Sequence, residues 1–231
     1  MKNKIKKIHF IGIGGSGMSG IAEVMHNLGF KVSGSDSTST NVTAELKRMG
    51  IRVYTKHAAK NITGVDVIVS STAITKNNIE IKEGKDRNIP IIARAEMLSE
   101  LMRFKTGIAV AGTHGKTSTT SLLASILSQG NLDPTFVIGG RINSMKANAK
   151  LGAGDIFVVE ADESDASFLH LNPINTIVTN IDRDHLETYQ GDFERLKATY
   201  LDFIHQVPFY SNVFLCVDDD EINKIIPDIM R

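Results

Sequence analysis

The sequence has only one cysteine, Cys216, so the chain cannot form an internal disulfide, and a fold without disulfides suits a reducing compartment. It also lacks an excess of basic charge, because 26 Lys and Arg residues balance 26 Asp and Glu residues, which argues against nucleic-acid binding. No apolar run reaches the ~18 residues of a membrane helix. The basic segment 1–7 and the apolar segment 8–13 resemble a signal peptide, but that apolar run is too short and is broken by glycine. These absences predict a cytoplasmic protein that binds neither nucleic acid nor membranes.

Short apolar segments alternate with helical patterns along the whole chain. Strands are predicted at 8–13, 32–35, 51–54, 65–71, 89–93, 108–111, 135–138, 156–160, 174–179 and 213–217, and helices at 18–28, 42–49, 78–87, 96–102, 116–128 and 192–205. This alternation predicts an α/β fold with parallel sheets flanked by helices. The short polar segment 103–106 precedes a fresh apolar strand, so we predict two domains, 1–104 and 105–231.

The segment 107–118 indicates a phosphate-binding loop. A strand runs into a glycine-bearing turn, and Lys116 and Thr117 open the helix that follows. Backbone N–H groups of such a turn bind phosphate, the lysine adds positive charge, and the threonine hydroxyl can bind Mg²⁺. Val110 stands where the full pattern has a glycine, so the loop is a shortened variant. An ordinary glycine turn would leave Lys116 and Thr117 unexplained. The predicted nucleotide-binding residues are Gly112, Thr113, His114, Gly115, Lys116, Thr117 and Ser118.

A second glycine turn, Gly12 to Gly17, fits the pattern G-x-G-x-x-G between a strand and a helix. Asp36 ends the next strand, where an acidic residue meets a ribose hydroxyl in dinucleotide-binding folds. The turn predicts a diphosphate site for NAD, FAD or a nucleotide sugar, although glycines that serve only close packing remain an alternative. An NAD enzyme has no use for a second, lysine-bearing phosphate loop, whereas a ligase that activates a nucleotide-linked substrate with ATP would use both.

Acidic and histidine side chains follow two strands of the second half. Glu160 stands at the tip of strand 156–160, where P-loop folds hold Mg²⁺, and it is the better metal candidate. Asp162 and Glu163 could equally belong to a solvated loop. His185 follows Asp184 at another strand exit, and His114 lies inside the phosphate loop, so both are candidates for contact with reacting groups.

Together these motifs resemble the Mur ligases, and the likeness extends from residue 9 to about 218. The matching segments are HFIGIGGSGMSGIAEV (9–24), GSD (34–36), STAI (71–74), RAEMLSELMRF (94–104), AGTHGKTSTT (111–120), EADESDASFLHL (160–171) and TNIDRDHLETYQGDF (179–193). The resemblance implies a Rossmann-like domain that binds a UDP-sugar, followed by a P-loop-type ATPase domain. It also implies an ATP- and Mg²⁺-dependent ligase that joins L-alanine to UDP-N-acetylmuramate through an acyl phosphate in peptidoglycan synthesis.

The resemblance further implies roles for individual residues. Lys116 would hold the β- and γ-phosphates of ATP, Thr117 and Glu160 one Mg²⁺, and His185 a second. His114 would face the muramic end of the substrate. The residues implied for the UDP-sugar are Gly14, Gly15, Ser16, Gly17 and Met18 at the diphosphate, Asp36, Ser71, Thr72 and Ala73 along the nucleotide, and Asp162, Glu163 and Ser164 towards the muramic carboxylate.

The chain departs from the family in two respects. Related ligases carry a carbamylated lysine where this chain has Tyr200; Lys197 is out of register, and we expect it on the exposed face of its helix, with no metal role. Family members are also considerably longer. We therefore expect a fragment that lacks the C-terminal domain and the rest of the ATPase sheet. We also expect its second half to be poorly soluble and the fragment alone to show no catalytic turnover. Oligomeric state is not predicted.

Three alternatives remain open. A ligase that attaches a recycled peptide to the same UDP-sugar shares the family motifs, although 71–74 and 188–193 fit the alanine-adding enzyme better. An NAD(P)-linked oxidoreductase would use Gly12 to Gly17 but not the lysine-bearing loop. A non-catalytic module that binds a nucleotide sugar would describe the chain if it is a fragment.

Overall fold

The computed structural model describes residues 4–142 and 147–230, apart from the side chains of residues 16, 139–142 and 147. Its strands are β1 (Lys7–Ile11), β2 (Lys31–Ser35), β3 (Arg52–Tyr54), β4 (Val67–Ser70), β5 (Ile91–Ala93), β6 (Thr106–Ala111), β7 (Thr135–Ile142), β8 (Ala147–Lys150), β9 (Ile156–Glu160), β10 (Asn175–Val178) and β11 (Val213–Leu215). Its α-helices are α1 (Ser16–Asn27), α2 (Asn41–Arg48), α3 (Ile79–Asp86), α4 (Arg94–Met102), α5 (Lys116–Gln129), α6 (Phe193–His205) and α7 (Asp220–Ile225). This order confirms the predicted α/β class.

The chain divides into two compact units, a first unit of residues 1–97 with 149–151 and a second unit of residues 98–148 with 152–231. The first unit contains a five-stranded sheet in the order β3-β2-β1-β4-β5, and its paired strands are parallel. Parallel strands end at one edge of their sheet, so the loops after β1, β2 and β4 lie together. That edge holds the first glycine turn, Asp36 and Ser71.

The core of the first unit is aliphatic, and its members Ile11, Ile62, Ile68 and Ile81 form one buried cluster. Pro90 directly precedes β5, which is an edge strand of the sheet. A proline is tolerated here because it stands before the first residue of an edge strand; its carbonyl still accepts a hydrogen bond from the N–H of Ile68 at 2.9 Å.

A buried carboxylate, Glu80 of α3, ties several elements of the first unit together. Its side chain is 0% exposed and accepts hydrogen bonds from Ser35 Oγ at 2.5 Å and Asn61 Nδ2 at 2.6 Å. The His9 Nε2 atom lies 3.6 Å away. Burial opposes the charged form, but these partners outweigh it and lower the pKa of Glu80 to about 2. The carboxylate is therefore ionised and fixes the end of β2.

The second unit contains a six-stranded sheet in the order β11-β10-β6-β9-β7-β8. The pairs β10–β11, β10–β6, β6–β9 and β7–β9 are parallel. Helix α5 packs on β6, β7 and β9, with Ala124 buried against Phe136 and Val158. On α6, Phe203 stacks on Phe168 with their ring centroids 4.7 Å apart. The sheet thus places β6, whose loop carries the lysine, between β9 and β10.

The structure departs from the predictions in several places. Strand β7 extends to Ile142, and both β8 and α7 lie where no strand or helix was predicted. The expectation that Lys197 lies on an exposed helix face is wrong. Its side chain is only 13% exposed, because Nζ pairs with Glu194 at 2.7 Å and with Glu221 of α7 at 3.4 Å.

Most large apolar side chains that the described residues expose belong to the second unit. All of them except Ile79 lie there, including Phe209 at 91%, Phe214 of the edge strand β11 at 55% and Val217 at 64% exposure. Poor solubility of this unit stays a prediction. Within 4–142 and 147–230, no helix has the length and apolar character required to cross a membrane.

Candidate active site

The lysine-bearing loop of the second unit connects the end of β6 to the start of α5. Gly112 has φ +134°, a conformation that favours glycine, and an added Cβ would collide with the side chain of Thr179. Gly115 has φ +77° and forms the N-cap of α5, which begins at Lys116. The backbone conformation therefore requires both glycines. The loop leads directly into the N-terminus of α5, a helix of 14 residues.

Side chains of the loop after β10 fix the lysine-bearing loop (112–118) from one side. The backbone N–H of His114 donates to Asn180 Oδ1 at 2.8 Å, and Thr179 Oγ1 donates to the carbonyl of His114 at 2.7 Å. The N–H of Asp182 donates to Thr113 Oγ1 at 2.9 Å. No role was predicted for Thr179, Asn180 or Asp182. The available signal was their position after the strand that neighbours β6, since the ends of neighbouring parallel strands lie side by side.

Lys116 turns back onto its own loop. Its Nζ atom donates to the carbonyls of Gly112 at 2.6 Å and Thr113 at 3.2 Å. It also contacts both carboxylate oxygens of Glu163, at 2.9 and 2.7 Å. Burial raises the pKa of Glu163 above its usual value, although the hydrogen bond and charge of Lys116 act in the opposite direction. The predicted phosphate-binding cation is thus already paired with an acid.

The predicted metal-binding residues lie at the same edge of the sheet. Thr117 is exposed in the first turn of α5, and Glu160 ends β9, in register with Val110 near the end of β6. His185 is exposed, has φ +55° and follows β10. A hydroxyl and a carboxylate are oxygen donors that suit Mg²⁺, which usually completes its shell with phosphate oxygens and water. Within the described part of the chain, no group of three His, Cys, Asp or Glu residues is assembled to hold a metal.

The acidic loop after β9 is ordered by its own contacts. Asp162 Oδ1 accepts hydrogen bonds from the backbone N–H of Ser164 at 3.1 Å and from its hydroxyl at 2.7 Å. The buried hydroxyl of Tyr189 donates to the carbonyl of Glu163. Asp162 and Ser164 therefore shape the turn that directs Glu163 towards Lys116. His114 points elsewhere, with its Nε2 atom 3.0 Å from Asp182 Oδ2.

The first glycine turn lies in the first unit, between β1 and α1. The N–H groups of Gly12 and Ile13 donate to the carbonyl of Ser35 at 2.8 and 3.1 Å. The N–H of Gly14 donates to Asp36 Oδ2 at 2.8 Å. Burial opposes the charge of Asp36, but hydrogen bonds from Thr38 and Gly14 outweigh it and lower the pKa. Ser16 begins α1, and Met18 is buried within it.

Two further groups border the first glycine turn. The loop after β4 approaches Gly12, because an added Cβ there would lie 3.7 Å from Ser71 Cβ; within that loop, Thr72 and Ala73 are exposed. The guanidinium of Arg94 lies beside Gly17, where a Cβ would collide with it. Arg94 had no predicted role, although it belongs to one of the matching segments. Its positive charge at the start of α1 suits an anionic ligand.

Comparisons with known proteins agree with this architecture. Residues 7–106 match the catalytic domain of the Mur ligase family, and residues 110–230 match the Mur ligase middle domain. The chain is 58% identical over 231 residues to the UDP-N-acetylmuramate–L-alanine ligase of Neisseria gonorrhoeae, covering 100% of this chain and 49% of that protein. It therefore spans about half the length of this curated relative.

Two solved structures have the same fold. UDP-N-acetylmuramate–alanine ligase MurC from Thermotoga maritima aligns with a TM-score of 0.85 and 32% identity, over 93% of this chain and 50% of that one. UDP-N-acetylmuramate:L-alanyl-γ-D-glutamyl-meso-diaminopimelate ligase from Neisseria meningitidis aligns with a TM-score of 0.89 and 27% identity, over 97% of this chain and 75% of that one. The resemblance inferred from the motifs is confirmed, and the chain belongs to the Mur ligase family.

Proposed function

We propose that this chain forms the UDP-sugar-binding and ATP-binding parts of a ligase that joins L-alanine to the carboxylate of UDP-N-acetylmuramate. The observation that carries the proposal is the pair of glycine turns, one at the start of α1 and one, with Lys116, at the start of α5. An enzyme that activates a nucleotide-linked acid with ATP needs a phosphate site of each kind. The identity of 58% to an enzyme of that name supports the choice of L-alanine.

The nucleotide site in this proposal is the loop from Gly112 to Ser118. Its N–H groups and the start of α5 receive the phosphates of ATP, and Lys116 neutralises the β- and γ-phosphates. Thr117 and Glu160 would hold one Mg²⁺ and His185 would contribute to a second; the metal, when bound, neutralises charge on the transferring phosphoryl group. Their placement at one strand edge supports this assignment.

The UDP-sugar site in this proposal is the strand edge of the first unit. Gly14 to Met18 take the diphosphate at the start of α1, and Asp36 and Ser71 to Ala73 line the nucleotide. Arg94 adds a cation at the same place. His114 and the loop from Asp162 to Ser164 are assigned to the muramic end. The corresponding domains are 1–104 and 105–231, and the ligands are small molecules handled in the cytoplasm for cell-wall synthesis.

The proposed chemistry has two steps. An oxygen of the muramic carboxylate attacks the γ-phosphorus of ATP, the bond to the β-phosphate oxygen breaks, and ADP leaves with the formation of an acyl phosphate. The amine of L-alanine then attacks the acyl carbon, an N–H proton is released, and inorganic phosphate leaves as the amide forms. Phosphoryl transfer of this type depends on positioning and charge neutralisation, so the chain needs no covalent nucleophile.

Calorimetric titration with UDP-N-acetylmuramate, and separately with NADH, tests the proposal. We expect the UDP-sugar to bind and NADH not to bind, and Arg94→Met to weaken the UDP-sugar. Lys85→Met, at an exposed position of α3, removes a cation of the same unit, serves as the matched control and should leave binding unchanged. Binding of NADH alone would contradict the proposal and favour an oxidoreductase.

A ligase that transfers a recycled peptide to the same UDP-sugar is the second candidate, supported by the TM-score of 0.89 to the Neisseria meningitidis enzyme. Its identity to this chain is 27%, against 58% for the alanine-adding relative, which favours L-alanine. Both candidates share the first substrate. An assay of phosphate release distinguishes them. This chain is mixed with the second half of the Neisseria gonorrhoeae enzyme, and either L-alanine or the tripeptide is added as the second substrate.

A further inference from the structure

Lys116 of the second unit is engaged by several acceptors of its own chain. Its ammonium group has three donors, and the structure gives it four acceptor oxygens within 3.2 Å, two of them from Glu163. Its side chain is 17% exposed and that of Glu163 is 1% exposed. Charge-assisted contacts of this kind are stronger than neutral hydrogen bonds, particularly when one partner is buried. The cation that is expected to bind phosphate is therefore neutralised by a residue of its own chain.

The position of Glu163 is fixed by groups other than Lys116. The hydroxyl of Tyr189 donates to its backbone carbonyl, and Ser164 and Asp162 close the turn on either side of it. Burial raises the pKa of the Tyr189 hydroxyl, and the nearby negative charge of Glu163 raises it further, so this donor keeps its proton. The two residues are 47 positions apart in the sequence, so their contact joins the start of α5 to the loop after β9.

We propose that Glu163 is an internal counterion of the phosphate loop, which occupies Lys116 until the phosphates of a nucleoside triphosphate displace it. The inference rests on the proposed function, because it concerns the nucleotide loop assigned there. A carboxylate and a phosphate compete for the same Nζ atom, so binding exchanges one anionic partner for another. Glu163 acts on the ligand through Lys116 and is a positioning residue. It keeps Lys116 folded back onto the carbonyls of its own loop and lowers the affinity for free nucleotide.

Titration with ATP in EDTA tests this exchange, since only the charges of the protein then act on the phosphates. We expect Glu163→Gln to bind ATP about tenfold more tightly than the unaltered chain, because the amide removes the competing charge. Glu187→Gln is the matched control: it removes an exposed carboxylate of the same unit and should change the affinity less than about twofold. Equal or weaker binding by Glu163→Gln would overturn the proposal.

A stability measurement checks the pairing independently of any ligand. Lys116→Met leaves the carboxylate of Glu163 buried without its cation, so we expect the Tm to fall by about 5 °C. Adding Glu163→Gln to Lys116→Met should restore more than half of that loss, because the stranded charge is gone. Two additive losses would show that the residues are not coupled and would also overturn the proposal.

The outcomes separate this inference from the proposed function. If the chain binds ATP as expected but does not bind UDP-N-acetylmuramate, the counterion role of Glu163 stands and the ligase proposal is contradicted. A chain that binds the UDP-sugar, shows the coupling in Tm and binds ATP in neither form would assign the pair to folding alone, which contradicts the counterion role.

Discussion

The two glycine turns of this chain are held in position by different kinds of contact. In the first unit the turn is fixed through β2: the carbonyl of Ser35 accepts from Gly12 and Ile13, and the hydroxyl of Ser35 donates to the buried Glu80. In the second unit the turn is fixed through side chains after β10, chiefly Thr179 and Asn180. The first turn leads into α1 without a lysine, whereas Lys116 directly follows the second turn at the start of α5. A diphosphate that is only bound needs the N-terminus of a helix. A phosphoryl group that is transferred also needs a cation that neutralises its charge.

Each turn contacts an acidic side chain of its own unit. Asp36 accepts from the N–H of Gly14, and Glu163 contacts Lys116. The N–H of Thr38 also donates to Asp36 at 3.0 Å, so we expect Asp36 to keep its position when the proposed UDP-sugar binds. Glu163 contacts the cation itself, and so it must give way. Four substitutions test this difference between the two turns.

Gly112→Ala has the largest expected effect. It forces a Cβ onto a backbone with φ +134° and against Thr179, so we expect a loss of about 3 kcal/mol or more in the free energy of unfolding, with ATP binding abolished. Chemical denaturation, followed by far-UV circular dichroism, measures the free energy of unfolding. Gly130→Ala is the control, because Gly130 has φ −76° and an added Cβ would be 3.5 Å from its nearest neighbours. Equal stability of the two variants would show that the second turn is not constrained as described.

Glu80→Gln tests the support of the first turn. The pKa of Glu80 falls from 4.5 to about 2 on folding, so its contribution to stability is complete above pH 4.5 and is lost as pH falls towards 2. We expect the variant to lose roughly 3 kcal/mol at pH 7. The difference from the unaltered chain should narrow below pH 4.5, as measured by urea denaturation at several pH values. If the difference in free energy of unfolding stayed constant with pH, the ionised carboxylate of Glu80 would not be the group that stabilises the first turn.

Gly14→Ala tests the first turn itself. An added Cβ would lie 2.8 Å from Asp36 Oδ2 and 2.9 Å from Thr43 Cγ2, so Asp36 must move. We expect the affinity for UDP-N-acetylmuramate to fall about tenfold, which corresponds to about 1.4 kcal/mol, while ATP binding stays unchanged. Calorimetry with both ligands measures it. A parallel loss of ATP affinity would mean that the two turns do not act separately.

Asn180→Ala has the smallest expected effect. It removes the acceptor for the N–H of His114 and the donor to its carbonyl at 2.9 Å, both at an exposed position. We expect ATP affinity to fall by about threefold to tenfold, with UDP-sugar binding unaffected. Asn223→Ala, in α7, is the control for loss of an amide. Unchanged ATP affinity in Asn180→Ala would leave Thr179 as the support of the second turn.

The structure agrees with the sequence-based predictions where an element depends on residues that are neighbours in the chain. The positions of Lys116 at the start of α5 and of Gly14 before α1 follow from local patterns of strand, glycine and helix. Strand β8 was not predicted because Ala147 to Lys150 has too few apolar side chains to form a period. Helix α7 was not predicted because it is short and Pro227 follows it closely. The contact of Glu163 with Lys116 could not be derived, since a pairing across 47 residues depends on the order of strands in the sheet.

Calorimetric titration of one preparation of this chain, first with UDP-N-acetylmuramate and then with ATP, tests whether the two turns are separate ligand sites. We expect each ligand to bind once per chain, Gly14→Ala to weaken binding of the UDP-sugar alone, and Gly112→Ala to abolish binding of ATP alone. Competition of the two ligands for one site, or binding of NADH in place of the UDP-sugar, would contradict this expectation.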